Sequence, residues 1–298
     1  MTDVELVGVT DPDTARAAAL ADAVGTAPAA GLDDLLRRGV EAAWVCVPPF
    51  AHGEVEERLA DAGVALFVEK PLGLDVATAQ RVHAAVAAAG VSTSVGHHWR
   101  SSTVVARARE VLAGRIVRLV GVTWLDKVPP VPWWAHRGSS GGQVVEQAVH
   151  VLDLARVLAG EVVVVHAVAD AAPPAGGVVD SATAGTLRFA DGAVGTLAAT
   201  CRLRWKHRAG LELYADDLAL TVTEEQLAVR DGADCWSVDV DPAEARAAAD
   251  RAFVDHLAGR APSGAGTVVD YGEALRTHRL ACALADSVAS GAPVVLDV

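Results

Sequence analysis

The chain is short of lysine and of long apolar runs, and each shortage excludes a class of protein. Lysine occurs only at Lys70, Lys127 and Lys206, and 25 basic residues stand against 38 acidic ones, for a net charge of -13. Nucleic acid and anionic membranes are bound by clustered lysine and arginine, so neither is expected as a partner. No apolar run approaches the roughly 18 residues that a membrane span needs.

Cysteine is also sparse, and its spacing carries no motif. The four cysteines show neither Cys-x-x-Cys nor zinc-ligand spacing: they are Cys46, Cys201, Cys235 and Cys282. A disulfide framework and a structural zinc site are therefore not expected. This cysteine usage, and the absence of a basic-then-apolar leader before the first acidic residues, predict a cytoplasmic protein.

Short β-rich runs alternate with alanine-rich helical runs from the start to about residue 97. Strands are predicted at 5–10, 42–47, 64–68 and 91–95, and helices at 14–24, 51–62 and 76–89. Such alternation predicts a parallel sheet with right-handed crossovers, which binds ligands beyond the carboxyl ends of its strands. We therefore predict a Rossmann-like dinucleotide-binding domain over residues 1–97.

The pattern changes in residues 98–298, which are predicted to form an α+β domain for substrate binding and oligomerisation. Consecutive strands joined by short turns indicate an open, mainly antiparallel sheet. Strands are predicted at 116–125, 162–168, 182–189, 193–203, 211–214, 218–222 and 294–298. Helices are predicted at 103–112, from 141 to about 158, at 242–257 and at 271–290. The fold class is α/β, and the last two helices are expected to pack back on the first domain.

The usual opening of a dinucleotide-binding unit is missing from this sequence. Such a unit begins with a strand, a glycine-rich turn and a helix, whose backbone N–H groups meet the pyrophosphate. No G-x-G-x-x-G occurs near the start, and Gly8 lies inside the first predicted strand. That strand has the features of the second strand of the unit, and Asp11 ends it where a carboxylate binds the ribose. We therefore expect an incomplete domain that lacks roughly 20 to 25 residues of strand, turn and helix.

Glu69-Lys70-Pro71 follows a predicted buried strand, which places an ammonium at the carboxyl edge of the sheet. Beside a nicotinamide, Lys70 would hydrogen-bond a substrate hydroxyl or carbonyl oxygen. A surface ion pair between Lys70 and Glu69 is the alternative. The scarcity of lysine favours the functional interpretation.

Glu146, His150 and Asp153 are spaced i, i+4 and i+7 along a predicted helix, so they are expected to share one face. An imidazole held by a carboxylate can take the proton of a hydroxyl that becomes a carbonyl. A histidine satisfied within the core is the structural alternative. A metal site completed by His97 and His98 is a weaker one, and no metal is expected.

Aromatic and basic residues gather just before this helix and at the end of the last parallel strand. Their rings and guanidinium groups would line a polyol or nicotinamide site, or the tryptophans would pack between domains or subunits. At the strand end, His98 and Arg100 would contact substrate or pair with an acid. The group before the helix comprises Trp124, Trp133, Trp134, His136 and Arg137.

A series of short motifs runs through the chain in a specific order. It comprises Asp11-Pro12-Asp13, Val47-Pro48-Pro49 with His52, Glu69-Lys70-Pro71, Gly96 to Arg100, Trp134, Gly141-Gly142 and Glu146-x-x-x-His150-x-x-Asp153-Leu154. This order resembles the glucose-fructose oxidoreductase / inositol dehydrogenase (Gfo/Idh/MocA) family over almost the whole chain. The tail, with Phe253 and Tyr271, is similar to that family as well.

The resemblance implies an NAD(P)-dependent oxidoreductase. Such an enzyme transfers hydride between a nicotinamide and a hydroxyl or carbonyl of a sugar, amino sugar or cyclitol. Asp11 favours NAD over NADP, because a carboxylate repels a 2′-phosphate. The family's open second-domain sheet often forms subunit contacts, which implies a homo-oligomer.

The resemblance also assigns roles to residues. Lys70 would steer the substrate oxygen, His150 would be the general acid/base, and Glu146 would stand where an aspartate is common. The cofactor-binding set would be Asp11, Pro48, Pro49, His52, Glu69, Lys70, Trp134 and Arg137. The substrate-binding set would be His98, Arg100, Glu146 and Asp153.

Two other functions stay open at this point. The missing glycine-rich turn is compatible with a catalytically silent binding or assembly protein of the same fold. Glycosidases that resemble this family perform redox-neutral chemistry with a retained NAD. Binding of NADH separates the first of these from a dehydrogenase, and product analysis separates the second.

Overall fold

A computed structural model describes residues 1–170, 177–261, 264 and 266–297. Its helices are α1 Thr14–Val24, α2 Leu32–Arg37, α3 Glu54–Asp61, α4 Val76–Ala89, α5 Thr103–Leu112, α6 Arg137–Ser140, α7 Gln143–Glu146, α8 Val149–Ala159, α9 Pro242–Leu257 and α10 Tyr271–Ser290. Its strands are β1 Ala42–Val45, β2 Ala65–Val68, β3 Thr93–Val95, β4 Leu119–Lys127, β5 Val162–Ala169, β6 Ala182–Phe189, β7 Val194–Leu203, β8 Arg208–Ala215, β9 Leu218–Thr223, β10 Gln226–Asp231, β11 Asp234–Asp239 and β12 Val294–Val295. Short 3-10 helices occupy Pro49–Ala51, His98–Ser101 and Pro132–Ala135.

A three-stranded parallel sheet in the order β1-β2-β3 forms the centre of the first half. All residues of β2 and β3 are buried, as expected for parallel strands covered on both faces. Helices α3 and α4 pack together on this part of the chain. On β2, the ring of Phe67 contacts Phe253 of α9 at a centroid distance of 5.8 Å.

The strand predicted at 5–10 does not form. Val9 makes one isolated bridge with Pro28, and no ladder joins this segment to the parallel sheet. The guanidinium of Arg38 instead donates to the carbonyl oxygens of Val7 and Ala27. A side chain therefore satisfies backbone acceptors that a neighbouring strand would satisfy in a sheet.

The second half contains a nine-stranded sheet in the order β11-β10-β9-β8-β4-β7-β6-β5-β12. Only the β4–β7 pair is parallel, so the sheet is mixed and mainly antiparallel, which confirms the predicted fold class. Strands β10 and β11 were not predicted: β11 is almost wholly exposed, whereas β10 has only two buried apolar residues, Leu227 and Val229. The strand predicted at 294–298 is present as Val294–Val295, and residue 298 lies outside the described residues.

The helix predicted from 141 to about 158 is two helices, α7 and α8. The break falls at Gln147 and Ala148, where the Ala148 N–H donates to the carbonyl of Gln143, five residues back. Glu146 therefore ends one helix and His150 begins the next. The prediction that Glu146, His150 and Asp153 share one regular helical face is wrong.

The two closing helices join the halves of the molecule. Trp44 Nε1 of β1 donates to Asp250 Oδ1 of α9 at 2.9 Å. Tyr271 begins α10 within the apolar core of the parallel sheet, whereas Leu284 lies in the core of the nine-stranded sheet. Within the described ranges, no helix is both long enough and apolar enough to cross a membrane.

Candidate active site

Lys70, Glu146 and Trp134 meet at the carboxyl edge of the parallel sheet. Lys70 Nζ donates to Glu146 Oε1 at 3.0 Å and to the Glu146 carbonyl oxygen at 2.9 Å. Trp134 Nε1 donates to Glu146 Oε2 at 2.7 Å. Both carboxylate oxygens of Glu146 are therefore bonded, one to a residue of each half of the molecule.

The position of Lys70 follows from the strand that precedes it. The Glu69 N–H donates to the carbonyl of Val45 at 2.9 Å, so the parallel ladder continues to the residue before Lys70. The Glu69 carboxylate lies against Gly96, where an added Cβ would come within 2.7 Å of it. Burial raises the pKa of Glu69. Glu69 thus packs beneath the site, while Lys70 points toward α7.

Four aromatic rings contact the imidazole of His150. Trp124 stacks on it at a centroid distance of 5.8 Å, and Trp99 stacks at 6.2 Å. His98 contacts its edge at 5.1 Å, and His97 does so at 6.3 Å. These four rings hold the imidazole in one orientation without a hydrogen bond.

The imidazole of His150 is buried and electrically neutral at physiological pH. Burial and the nearby Lys70 ammonium hold its pKa well below the usual value. Its Nδ1 atom has no hydrogen-bond partner among the described residues. Contrary to the sequence-based expectation, no hydrogen bond or ion pair joins His150 to Glu146 or to Asp153 in the described part of the chain. A neutral imidazole with a free ring nitrogen is prepared to accept a proton.

Asp153 and Arg100 form a buried ion pair beneath this site. Arg100 donates through Nε to one Asp153 oxygen at 2.7 Å and through a terminal nitrogen to the other. Thr277 donates to the same carboxylate at 2.7 Å, and Glu273 accepts from Arg100 at 3.0 Å. Although burial opposes ionisation, these bonds hold the pKa of Asp153 at about 2.

This pairing changes the interpretation of two predicted substrate ligands. Asp153 is 1% exposed and all but covered by Arg100, Thr277 and neighbouring apolar residues. Of the alternatives stated for Arg100, the structure shows pairing with an acid. Both residues connect α8 with the chain after β3 and with α10. We therefore assign Asp153 and Arg100 a structural role beneath the site, and not contact with substrate.

The two histidines after β3 point in different directions. His97 is buried, its Nδ1 lies 3.8 Å from Asp153 Oδ2, and burial lowers its pKa to about 4. His98 Nε2 lies 3.5 Å from Glu224 Oε1. No group of three or more potential metal ligands occurs in the part of the chain that the structure describes.

The predicted cofactor ligands fall into two sets. The 3-10 turn that begins at Pro49 packs against α6, whose Arg137 pairs with Asp180. Pro48 and Pro49 therefore lie beside the elements that carry Arg137 and Trp134. This set and Lys70 lie together between the carboxyl edge of the parallel sheet and helices α6 and α7.

Asp11 and His52 stand apart from that cleft. Asp11 accepts from the Asp13 N–H at 2.7 Å and pairs with Arg16 at 3.1 Å. The side chain of His52 is fully enclosed and bonds Glu56, so it cannot contact a bound cofactor in this conformation. The expected cofactor contact of His52 is corrected to a structural role, because the pair with Glu56 fixes the start of α3.

Sequence reasoning missed three residues near His150. Trp99 lies in the 3-10 helix after β3, and Lys206 and Glu224 lie on turns of the nine-stranded sheet. Lys206 Nζ lies 5.4 Å from the ring centroid of Trp124 and donates to Glu224 at 2.6 Å. The rarity of lysine in this chain is a sequence signal that singles out Lys206.

The carboxyl edge of a parallel α/β sheet meets a buried histidine on α8, a helix that packs against a second, mixed sheet, so the candidate site of this α/β protein lies where its two halves meet. Residues 1–97 match the family described as "Oxidoreductase family, NAD-binding Rossmann fold", and residues 105–221 match the "GFO/IDH/MocA C-terminal domain". The chain belongs to the Gfo/Idh/MocA oxidoreductase family.

Several named proteins are similar in sequence. Inositol 2-dehydrogenase of Rhizobium meliloti (strain 1021) is 31% identical over 161 residues, which cover 53% of this chain and 48% of that protein. Myo-inositol dehydrogenase Hyg17 of Streptomyces leeuwenhoekii is 35% identical over 167 residues, which cover 54% of this chain and 50% of that protein. The chain thus spans about half the length of these relatives.

Solved structures extend the likeness over the whole chain. Levoglucosan dehydrogenase in complex with NADH and levoglucosan matches with a TM-score of 0.87 at 21% identity, covering 98% of this chain and 91% of that one. GenD2 from gentamicin A biosynthesis in complex with NAD matches with a TM-score of 0.79 at 23% identity, covering 99% of this chain and 90% of that one. At these identities the likeness shows a shared fold.

Proposed function

We propose that the protein is an NAD-dependent oxidoreductase that transfers hydride between a nicotinamide and a hydroxyl or carbonyl carbon of a sugar, amino sugar or cyclitol. The observation that carries this proposal is the junction of Lys70, held by Glu146, with the buried neutral His150. Family membership and the inositol and levoglucosan dehydrogenases among its relatives support the substrate class.

Two side chains of the cleft can manage the proton of the reacting hydroxyl. His150 can accept it, because its ring is neutral and Nδ1 is unpartnered. The Lys70 ammonium has one N–H left after its two bonds to Glu146, and that N–H can donate to the developing oxygen. Glu146 orients the ammonium and keeps its charge near the reacting atoms.

The residues at the sheet edge fit the nicotinamide end of a dinucleotide. Two buried polar atoms near the candidate site, His150 Nδ1 and Trp124 Nε1, have no hydrogen-bond partner among the described residues, so a bound ligand would supply the partner that each lacks. Lys70, Pro49, Trp134 and Arg137 would hold this end. When bound, the nicotinamide supplies or accepts the hydride. Asp11 is the proposed ribose ligand, and its carboxylate favours NAD over NADP.

Spectroscopic turnover with a substrate panel tests this function. The purified chain is mixed with NAD and with myo-inositol, scyllo-inositol, levoglucosan or glucose, and absorbance at the nicotinamide band is followed. We expect reduction of NAD with at least one polyol, and a loss of roughly a hundredfold or more in turnover for Lys70→Met and for His150→Asn. The exposed His256 provides a matched control, because His256→Asn changes no residue near the cleft.

Binding of NADH separates the rival functions. Energy transfer from tryptophan to NADH is expected in the wild type and in His150→Asn alike, since the imidazole is not required to bind the cofactor. No transfer up to millimolar NADH would favour the silent binding protein and exclude the dehydrogenase. Product formation without net reduction of NAD would favour the redox-neutral chemistry.

We also propose that the open face of the nine-stranded sheet binds a second copy of the chain. Its centre carries small, exposed side chains on adjacent strands, including Ala184 opposite Ala198 and Thr186 opposite Thr196. Such a surface is flat enough for two sheets to meet face to face. Sedimentation equilibrium is expected to give a dimer or a higher oligomer, and Ala198→Arg is expected to shift it toward monomer.

A reducing compartment, the cytoplasm, is the proposed location. The four cysteines are free in the structure, and burial raises the pKa of Cys201 to about 11, which keeps its thiol protonated. Fractionation of the host cell with an antibody to the native chain tests this assignment.

A further inference from the structure

Three basic side chains converge on one carboxylate beside the candidate active site. Glu224 accepts from Lys206 Nζ at 2.6 Å and from Arg246 at 2.8 Å, and His98 Nε2 lies 3.5 Å from it. The hydrogen bonds from His98 and Lys206 lower the pKa of Glu224 to about 2, although burial opposes this. The carboxylate is therefore ionised at physiological pH, and it neutralises only one of the charges around it.

The remaining positive charge is open to solvent. The side chain of Lys206 is 42% exposed and that of Arg246 is 58% exposed, whereas Glu224 is 13% exposed. Lys206 has three N–H donors, and one of them is on Glu224. Two donors of the ammonium are thus free for a ligand, as are donors of the Arg246 guanidinium. This group of Lys206, Arg246, His98 and Glu224 is called the basic cluster below.

The basic cluster reaches the proton-transfer site through two indole rings. Lys206 Nζ lies over Trp124 at 5.4 Å and over Trp99 at 5.9 Å from the ring centroids. The same two rings stack on His150. The ammonium of Lys206 and the imidazole of His150 therefore contact the same two indole rings.

The neighbouring turn adds to the positive potential. Arg204 is exposed and makes no ion pair or hydrogen bond with any residue that the structure describes. Trp205, between Arg204 and Lys206, is 58% exposed. Arg204 and Lys206 therefore place two positive charges on one turn, in a chain whose net charge is -13.

We propose that the substrate carries a carboxylate or phosphate group and that Lys206 and Arg246 bind it. This inference rests on the proposed function, and it narrows the substrate from neutral polyols to acidic ones, such as a sugar acid or a sugar phosphate. Charge-assisted hydrogen bonds to an oxyanion are stronger than neutral ones, so two such donors discriminate effectively against neutral sugars. Glu224 is the positioning residue that holds both donors at the rim.

Calorimetric binding to the full chain, with and without saturating NADH, tests the proposal. The probes are D-glucose, D-glucuronate and D-glucose 6-phosphate, which share a ring and differ in charge. We expect one or both anions to bind at least about tenfold more tightly than glucose. The two anions distinguish a carboxylate from a phosphate as the group recognised. Salt is expected to weaken anion binding and to leave glucose binding unchanged.

Two variants and a control locate the effect. Lys206→Met is expected to lower anion affinity by about tenfold or more, and Lys206→Arg to retain most of it, because the charge stays. The ion-paired surface residue Arg37, on α2, provides the control: Arg37→Met is expected to bind like the wild type. A circular dichroism melt of each variant checks that the fold persists.

Several outcomes would overturn the proposal. Equal affinities for glucose and both anions would do so, as would anion binding that Lys206→Met leaves unchanged. Competition between either anion and NADH would place the anion in the cofactor site. If NADH does not bind but the anions do, the dehydrogenase assignment fails and the basic cluster stands. If neutral polyols are oxidised and the anions do not bind, the dehydrogenase assignment stands and the anion site at the basic cluster is excluded.

Discussion

The ammonium of Lys70 and the carboxylate of Glu146 lie 3.0 Å apart, although 76 positions of the chain separate them. Lys70 follows the central strand of the parallel sheet, and Glu146 ends a one-turn helix of the other half. The same ammonium donates to the Glu146 carbonyl, one of the acceptors that a helix leaves free at its carboxyl end. The pair therefore fixes both the direction of the ammonium and the contact between the two halves.

Changing Glu146 is expected to uncouple catalysis from cofactor binding. In Glu146→Gln the Lys70 ammonium loses its counter-charge, and we expect kcat/KM to fall by roughly a hundredfold. Glu146→Asp keeps the charge, but the shorter arm cannot reach both Lys70 and Trp134, so an intermediate loss is expected. Steady-state kinetics with the best substrate of the panel, and NADH titration, measure the two effects.

The exposed Glu110 is the matched control for Glu146, because its ion pair with Arg107 lies on the surface of α5. Glu110→Gln is expected to retain full activity. Wild-type activity in Glu146→Gln would show that the carboxylate does not orient Lys70 for the reaction.

The rate of oxidation is expected to fall on the acidic side only at a pH below the usual pKa range of histidine. A base must be neutral to accept a proton, and burial and Lys70 hold the pKa of His150 well below 6.5. The neutral fraction of an ordinary histidine with a pKa of 6.5 falls about fourfold between pH 7.5 and 6.0. We expect less than a twofold loss of kcat/KM over this interval, measured with substrate well below KM, because kcat/KM reports the pKa of the free enzyme.

The variant His150→Asn supplies the control for the pH profile. Its residual rate is expected to lack this acidic limb, because the titrating group is gone. A wild-type rate that follows a pKa near 6.5 would instead assign the proton transfer to a group other than His150.

The sequence predicts the regular elements well where local signals agree. The bounds predicted for α1, α4 and α10 coincide with those observed, and each helix begins after an aspartate whose side chain accepts backbone N–H bonds. Each also ends at a glycine in the left-handed conformation. Capping and apolar periodicity are local properties, so they can be read without the fold.

The contacts of the site cannot be read in this way. The Ala148 N–H donates five residues back, which ends α7 at Glu146, beside Lys70. No helix propensity in the surrounding residues predicts this break. The pairing of Arg100 with Asp153 spans 53 positions, and that of Lys206 with Glu224 depends on two turns that meet only in the folded sheet. Such contacts arise from tertiary packing, whereas residue type alone identified Lys70 and His150 as candidates.

Removing the buried carboxylate of Asp153 is expected to destabilise the fold strongly. Among the described residues, Asp153→Asn leaves Arg100 with Glu273 as its one charged partner, in a site where both members of the original pair are buried. Loss of one member of a buried ion pair costs about 3 kcal/mol or more. Urea unfolding followed by tryptophan fluorescence measures the change in the free energy of unfolding.

The surface pair of Asp33 with Arg58 is the control for this experiment, since Asp33 is 73% exposed. Asp33→Asn is expected to change the free energy of unfolding by less than about 1 kcal/mol. An equally small change in Asp153→Asn would show that water or Glu273 replaces the lost carboxylate.

His278 is expected to make the protein less stable as the pH falls from 6.5 toward 4. The side chain is buried on α10, its Nε2 donates to the Asp75 carbonyl at 3.2 Å, and burial lowers its pKa to about 4. Because the folded pKa lies below the unfolded one, the unfolded chain takes up the proton first. The contribution of the neutral His278 to the free energy of unfolding is therefore complete above pH 6.5 and is lost progressively as the pH falls toward 4.

The variant His278→Asn isolates this contribution, because His97 and His150 are also buried and titrate in the same direction. Between pH 7 and 4.5 the free energy of unfolding of the wild type is expected to fall by roughly 2 to 3 kcal/mol more than that of His278→Asn. Asp153, whose folded pKa is about 2, loses its contribution below this interval and does not interfere. Urea titrations at each pH measure the difference, and parallel curves for the two proteins would show that His278 is already protonated in the folded state or remains neutral in both states.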